Sequence, residues 1–400
     1  PCHHRYLYPP DLAYSSPIFG YYRRVGDQAV ALELADIFQQ FGPAYRQKYA
    51  SKILPSHRQA MKAIESCRTE VLGGQVYACS ACSETRYSYH SCRNRHCPKC
   101  QHEQTEEWLE LQRKLLLPTP YFLLTFTLPA ELRQIARQNQ KLIYNLLFRT
   151  SAQAAQLLAK DPRFVGGQIG MVGVLHTWTR NLAFHPHVHY LAPGGGLDPD
   201  EHTWCPANKK FFLPARALSK LFRAAFQRAL QRTAIYDCIP PKVWRKDWVV
   251  HCKAVGDGQA ALKYLAPYIH RVAISNRRLL SLSSGRLENA KVTFRYRSSK
   301  TGQIKRCTLA AEKFIQRFLQ HVLPRGFVKV RYYGFFGATC RPRLWALQQQ
   351  LALTLPAEIT LSQTEQTETD ESVLARTQCP KCGNTMTFLR TIYRLTCRSP

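Results

Sequence analysis

The chain has 400 residues, which is enough for two or three domains with at least one sizeable core. Lys and Arg number 56 against 26 acidic residues, and the resulting charge of +30 repels itself unless an anionic partner is present. The composition favours nucleic acid as that partner. A membrane fits less well, because no apolar run reaches the roughly 18 residues that a membrane span needs. No secretory signal opens the chain, and we therefore expect a cytoplasmic protein.

Fifteen cysteines would suggest disulfides in a small secreted protein. Here many stand in CxxC pairs within a large basic chain, a pattern that predicts zinc in a reducing cytoplasm. Helical apolar spacing predicts a helical N-terminal segment over residues 1–64, where we see no chemistry. A small zinc-binding module follows at 65–105.

Two CxxC knuckles define this module, and we expect them to complete one tetrahedral zinc site. The four ligands of that site are Cys79, Cys82, Cys97 and Cys100. Cys67 and Cys92 are left over, and two interpretations stay open: they complete a second site, with or without a histidine, or they pack around the first.

Arg93, Arg95 and Lys99 share the loops of the module. A metal-stapled loop with cationic side chains predicts a rigid nucleic-acid-binding element. A zinc ion held by four cysteines also lacks the open position that catalysis needs, so we expect this zinc to be structural.

Strand and helix patterns alternate from 115 to 345 and predict one catalytic domain. An apolar strand at 121–129 precedes a long helix at 131–160. Next come a strand at 167–179 and, after a short turn, a histidine-rich strand from Ala183, which together predict an antiparallel hairpin.

The histidine-rich strand places His187 and His189 on one face, with Cα atoms about 6–7 Å apart, a reach over which two imidazoles can hold one divalent ion. His185 shares their parity. His176, on the preceding strand, is the candidate for a third ligand, and His185 is the reserve. A structural histidine with satisfied hydrogen bonds is the competing interpretation of His176.

A basic helix at 213–233 and a strand at 248–255 lead to a helix that begins after Asp257. Tyr264 and Tyr268 lie four apart on this helix, away from its apolar stripe and on the side shared with Arg271. Helical geometry alone leaves nucleophilic, packing and base-stacking roles open.

Arg277 and Arg278 follow as further DNA-binding candidates. A hairpin at 292–309, a helix at 310–322 and a last strand within 326–337 complete the domain. Residues 346–376 are rich in Thr, Gln, Ser and Glu and predict a disordered linker. The tail at 377–400, with Cys379, Cys382 and Cys397, resembles part of a zinc ribbon that lacks its last cysteine.

Three separated motifs, HPHVHYLAPGGGLD, YLAPYIHRVAISNRRL and SCRNRHCPKCQ, resemble the two-tyrosine rolling-circle transposases of the insertion-sequence ninety-one family, within the HUH endonuclease superfamily. The resemblance covers about 67–337. It implies an α+β fold with an HUH-type antiparallel sheet and flanking helices, His187 and His189 as ligands of Mg²⁺ or Mn²⁺, Tyr264 and Tyr268 as nucleophiles, and zinc in the cysteine cluster. It further implies single-stranded DNA at transposon ends and target DNA as partners, in a bacterial nucleoid.

Two other functions fit the sequence. A plasmid replication initiator or relaxase would use the same chemistry. A noncatalytic zinc protein would bind single-stranded nucleic acid through its basic and aromatic surface, and the tyrosine hydroxyls would then be dispensable. The sequence does not fix the oligomeric state.

Overall fold

The computed structural model describes residues 31–100, 108–198, 200, 203–262, 272–298, 301–353 and 378–394, and the backbone of 24–25 and 28–29. The two short backbone pieces, Arg24–Val25 (β1) and Gln28–Ala29 (β2), pair antiparallel. Within these ranges no helix is both long enough and apolar enough to cross a membrane.

Two helices, Leu34–Lys48 (α1) and Pro55–Glu65 (α2), open the part of the chain with described side chains. A capping box between Glu33 and Asp36 starts α1, because each side chain satisfies a free backbone amide of the first turn. The apolar stripe of α1 is buried, and Phe38 meets Phe318 edge to face with ring centroids 5.4 Å apart.

Phe318 belongs to a second subassembly further along the chain. Its helix, Ala311–Leu319 (α7 in chain order), packs on a three-stranded antiparallel sheet. The strands of this sheet, in spatial order, are Leu279–Leu282 (β11), Lys291–Arg297 (β12) and Ile304–Ala310 (β13). The predicted hairpin at 292–309 is therefore present, and it forms a sheet with β11 and not with the histidine-rich strand.

A second three-stranded sheet joins distant parts of the chain. Gly74–Cys79 (β3) pairs with Thr85–Tyr89 (β4) on one edge and with Met386–Ile392 (β15) on the other. Both pairings are antiparallel. The C-terminal tail is thus a strand of the N-terminal cysteine module.

The central sheet has five antiparallel strands, and it confirms the predicted α+β fold with helices flanking an antiparallel sheet. Its strands in spatial order are Val250–Ala254 (β10), Tyr121–Thr127 (β5), Phe184–Pro193 (β7), Met171–Trp178 (β6) and Val330–Tyr333 (β14). A small hairpin, Gly195–Leu197 (β8) with Trp204–Pro206 (β9), extends beyond β7.

Helices cover one face of the central sheet. They are Arg133–Gln138 (α3), Gln140–Ala159 (α4), Ala215–Leu230 (α5) and the single turn Lys242–Arg245 (α6), while Arg341–Leu353 (α8) packs elsewhere on the domain. The single helix predicted over 131–160 is interrupted at Asn139, whose φ of −124° and ψ of 45° leave the helical region.

Aromatic residues fill the layer between this sheet face and its helices. Phe222 of α5 meets Phe126 of β5 at 5.3 Å and Trp248 at 4.9 Å between ring centroids. Tyr190 of β7 donates its hydroxyl to the Phe148 carbonyl at 3.0 Å, so its polar end is satisfied inside the core.

The opposite face of the sheet is covered by the start of another helix. The Asp257 carboxylate accepts from the Ala260 amide at 2.7 Å, and residues 258–262 are helical. Leu262 packs in a small buried cluster with Val174 and Leu191, two residues of the central strands. The chain then continues into residues 263–271, which lie outside the described ranges.

Phe222→Ala should lower the free energy of unfolding by about 3–5 kcal/mol, because a large buried ring is replaced by a cavity against three aromatic neighbours. The matched control is Phe211→Ala, since Phe211 is 49% exposed. Urea denaturation followed by tryptophan fluorescence measures both. Equal destabilisation by the two variants would contradict the packing described here.

Candidate metal centres

The histidines are positioned by the alternation of β7. Val188 and Tyr190 point into the core beneath α4 and α5, while His187 and His189 project from the other face. In the sheet register His187 lies opposite His176 of β6, so these two side chains also share a face.

His176, His187 and His189 form one group, which we call the histidine triad. One ring nitrogen from each lies within 4.8 Å of the others. The ring centroids are 4.8 Å (His187 to His189), 5.0 Å (His176 to His189) and 5.4 Å (His176 to His187) apart. Three imidazoles at this separation can converge on one ion.

Hydrogen bonds at Nδ1 orient two members of the triad. His187 Nδ1 lies 2.7 Å from the His185 carbonyl oxygen, to which it donates, and His189 Nδ1 lies 2.9 Å from Thr125 Oγ1. Bonding at Nδ1 fixes the ring orientation and makes Nε2 the candidate ligand atom.

Burial keeps these rings uncharged. It lowers the pKa of His187 to about 4, and it lowers the pKa of His189 to about 3 with a further contribution from neighbouring His187. At neutral pH both imidazoles are therefore in the form that binds metal ions.

The two candidates for a third ligand have different surroundings. His185 Nδ1 accepts a hydrogen bond from the Arg133 guanidinium at 2.9 Å, and burial followed by this positive charge lowers its pKa. His176 is 3% exposed, and its ring stacks on Trp178 with centroids 5.2 Å apart. The geometry thus groups His176, and not the reserve His185, with His187 and His189.

Tyr264, Tyr268 and Arg271 lie outside the described residues. The chain is described up to Leu262 and again from Val272. Val272 lines a small cavity together with Trp178, the residue that stacks on His176.

The same cavity is lined by Lys329, which was not among the site residues predicted from the sequence. Its ammonium lies 5.2 Å from the Trp178 ring centroid. Burial, followed by the charge of Arg95, lowers the pKa of Lys329 to about 7. A half-buried lysine thus lies against Trp178, the residue that stacks on His176.

Eight of the cysteines in the described ranges form two groups of four, and the prediction of one site made from the two nearest knuckles is wrong. Cys397 lies outside the described residues. The first group, the inner tetrad, consists of Cys67, Cys92, Cys97 and Cys100. The second, the ribbon tetrad, consists of Cys79, Cys82, Cys379 and Cys382. Neither of these two groups of described residues includes a histidine.

The length of the β3–β4 hairpin explains this grouping. Cys79 and Cys82 lie at its turn, whereas the chain returns along β4 to its base, where Arg68 N donates to His90 O at 3.2 Å. Six residues of strand span roughly 20 Å. The Cys97–Cys100 knuckle therefore meets Cys67 and not the turn.

Comparisons with known proteins agree with this architecture. A family described as "Transposase zinc-binding domain" matches residues 37–128, and one described as "Putative transposase" matches 170–343. "Putative transposase y4qJ" of Sinorhizobium fredii is 40% identical over 375 residues, covering 88% of this chain and 92% of the relative. The chain belongs to the IS91 family of transposases.

A second relative, "Transposase for insertion sequence element IS801" of Pseudomonas savastanoi pv. phaseolicola, is 28% identical over 312 residues, 73% of each chain. No solved structure matches this transposase. The zinc-binding match contains the whole inner tetrad. The family match and the cysteine cluster together support a structural zinc ion, as the sequence predicted.

The predicted DNA-binding cations of the transposase differ in their surroundings. Arg93 and Arg277 are exposed. Arg95 donates to the carbonyls of Phe327 and Pro324 at 2.5 and 3.0 Å, and Lys99 pairs with the Glu33 carboxylate at 2.5 Å.

Arg278 likewise has protein partners, because it donates to the carbonyls of Arg180, Ala273 and Arg295. Arg95, Lys99 and Arg278 therefore connect parts of the transposase to each other. DNA binding by these cations remains a prediction. Arg93 and Arg277 fit it best, because both side chains are exposed.

Cys97→Ser should lower the zinc content of the purified transposase by about one equivalent and destabilise the N-terminal module, because structural zinc supplies folding free energy. Mass spectrometry of the metal and thermal unfolding measure both effects. Cys238→Ser is the control, since Cys238 is exposed and outside both tetrads. Unchanged zinc content in Cys97→Ser would refute the assignment of the inner tetrad.

Proposed function

We propose that this transposase cuts and rejoins single-stranded DNA through covalent phosphotyrosine intermediates, with a divalent ion bound by the histidine triad and with Tyr264 and Tyr268 as nucleophiles. The observation that carries the proposal is the convergence of the triad with both flanks of residues 263–271. The family assignment supports DNA as the substrate, and the chemistry is the proposed part.

The first flank lies on the face of the sheet that carries the triad. Leu262 belongs to the same buried cluster as Val174 and Leu191. Val174 is opposite His189 in the sheet register, and Leu191 follows His189 by two positions on the same face. The cluster that contains Leu262 therefore borders the triad on this face of the sheet.

The second flank lies at the other side of the triad. Val272 and Ala273 line the cavity that includes Trp178, and Trp178 stacks on His176. Both tyrosines belong to the nine residues between Leu262 and Val272. The positions of these two described flanks near the triad support the proposal.

The triad fits a divalent ion that accepts nitrogen ligands. Imidazole suits Mn²⁺ better than Mg²⁺, which prefers oxygen ligands and retains its water. Phosphate oxygens of bound DNA would supply the oxygen ligands that Mg²⁺ needs, so both ions remain compatible with the site. A bound ion would act as a Lewis acid on a nonbridging phosphate oxygen and would orient the scissile phosphodiester.

The tyrosine supplies the nucleophile. Its phenol oxygen loses a proton and bonds to phosphorus, the bond from phosphorus to the 3′ oxygen breaks, and that oxygen gains a proton. The products are a 5′-phosphotyrosine and a free 3′ hydroxyl. Because one phosphoester replaces another, a later 3′ hydroxyl can reverse the step and join a new strand without ATP.

Two tyrosines would allow a second cleavage while the first intermediate persists, as rolling-circle transposition requires. The charge of +30 supports binding to strands at transposon ends and at the target, through many phosphate contacts. A DNA substrate and bacterial relatives also support a place at the nucleoid.

His187→Ala and His189→Ala should each reduce strand cleavage at least about 100-fold, while DNA affinity changes little because binding rests on phosphate contacts. EDTA should abolish cleavage by the wild-type protein, and Mn²⁺ or Mg²⁺ should restore it. Gel assays on labelled oligonucleotides from the element ends measure cleavage. The control is His90→Ala, an exposed histidine outside the triad.

Full cleavage by both triad variants would refute the metal assignment. Loss of activity in His90→Ala as well would mean that the histidine substitutions act through general misfolding and not through the ion.

Tyr264→Phe and Tyr268→Phe should each retain some single cleavage and fail in complete transposition. The double variant should form no covalent adduct with DNA, although it keeps both aromatic rings and therefore any base stacking. Denaturing gels detect the adduct, and a binding assay runs beside each variant. Wild-type adduct formation by the double variant would assign the tyrosines to binding, as in a noncatalytic protein.

A further inference from the structure

We infer that the ribbon tetrad holds a second zinc ion and that this ion fastens the C-terminal tail to the β3–β4 hairpin. The zinc-binding family match ends at residue 128 and therefore contains only Cys79 and Cys82 of this tetrad. The tail supplies Cys379 and Cys382. The inference is independent of the cleavage chemistry proposed above.

The two halves of the tetrad have the same backbone structure. In each knuckle the amide of the first cysteine donates to the carbonyl of the residue five positions later. The carbonyl of the same cysteine accepts from the amide of the residue four positions later. These bonds are Cys79 N to Glu84 O (2.9 Å), Ser83 N to Cys79 O (2.9 Å), Cys379 N to Asn384 O (2.7 Å) and Gly383 N to Cys379 O (2.9 Å).

The matching extends to backbone dihedrals. Ser83 and Gly383 occupy equivalent positions, and both have positive φ, 56° and 76°. A serine rarely adopts this conformation, so the first knuckle accepts some strain in order to close its turn. Two tight CxxC turns, each followed by a strand, are the two halves of a zinc ribbon.

The sulfurs of the two knuckles face each other. Cys79 Sγ lies 3.4 Å from Cys382 Sγ, and Cys82 Sγ lies 3.5 Å from Cys379 Sγ, with all four within 4.8 Å of one another. Four thiolates at 2.3 Å from a tetrahedral zinc ion are separated by about 3.8 Å, whereas bonded disulfide sulfurs are about 2.05 Å apart. The arrangement fits zinc.

Apolar packing alone is too small to hold the tail. The buried cluster at this end of the sheet consists of Cys79, Cys379 and Met386, with Tyr77 and Cys82 partly buried beside it. Phe388 on β15 is 56% exposed. A cluster this small cannot order a separate strand, and structural metal is the usual substitute.

Zinc here would close a long loop. Cys79 and Cys382 are 303 positions apart. The predicted linker at 346–376 was wrong for residues 346–353, which belong to α8, and its remaining part stands between the catalytic domain and the tail. The metal would therefore make the C-terminal tail part of the N-terminal module even if the linker were cut.

Zinc analysis of the full-length protein provides the first test. Wild type should contain about two zinc equivalents, and Cys382→Ser should contain about one while Cys97→Ser loses the other. Lys381→Ala is the matched control, because Lys381 belongs to the same knuckle and is not a ligand. Equal zinc content in wild type and Cys382→Ser would overturn the inference.

Cutting the linker provides a second test. With a specific protease site placed within 354–377, the cleaved tail should stay bound during gel filtration in wild type and Lys381→Ala, and should separate in Cys382→Ser. Release of the wild-type tail would overturn the inference, as would a Cys79–Cys382 disulfide in mass spectra of the freshly purified protein. Strand cleavage by the triad plays no part in either readout.

Discussion

The proposed chemistry depends on three imidazoles held on one face of an antiparallel sheet. Burial makes the charged forms of His187 and His189 unfavourable, so these two rings need partners other than water. His187 and His189 each use Nδ1 for a hydrogen bond to protein, to a carbonyl and to Thr125 Oγ1 respectively. One ring nitrogen of each lies within 4.8 Å of a nitrogen of His176, which is the spacing that the proposed divalent ion would need. The aromatic layer beneath α4 and α5 keeps β7 in the register that this arrangement requires.

In the N-terminal module, cysteine clusters have the structural role that the aromatic layer has in the catalytic sheet. The β15–β3–β4 sheet buries few apolar side chains, and its two ends are fixed by separate tetrads. The inner tetrad also lies in the core shared by α1, α2 and the β11–β13 sheet, because Cys67, Cys97 and Cys100 are buried there. Arg95 adds a polar link to the loop before β14. The zinc module is thus connected to the catalytic domain at several points.

Local patterns predicted the parts of the site that are close in sequence. The parity of His187 and His189 follows from strand geometry, and the hairpin turn brings His176 opposite His187. Thr125 was not predicted as a partner, because the pairing of β5 with β7 joins strands more than 60 residues apart. Cysteine spacing identified the knuckles, but it does not encode which knuckles combine. The length of the β3–β4 hairpin determines which knuckles combine. The Cys379–Cys382 knuckle, predicted to be half of a truncated ribbon, lies beside Cys79 and Cys82 of the N-terminal module.

The central claim is that the histidine triad binds the ion that acts on DNA. Electron–nuclear double resonance of Mn²⁺ bound to the wild-type protein with a single-stranded oligonucleotide tests it most directly, because it detects nitrogen nuclei and phosphorus nuclei coordinated to the same ion. The account predicts couplings to imidazole nitrogen and to phosphate phosphorus together, with nitrogen coupling reduced in His176→Ala. Phosphorus coupling without any histidine nitrogen would contradict the account.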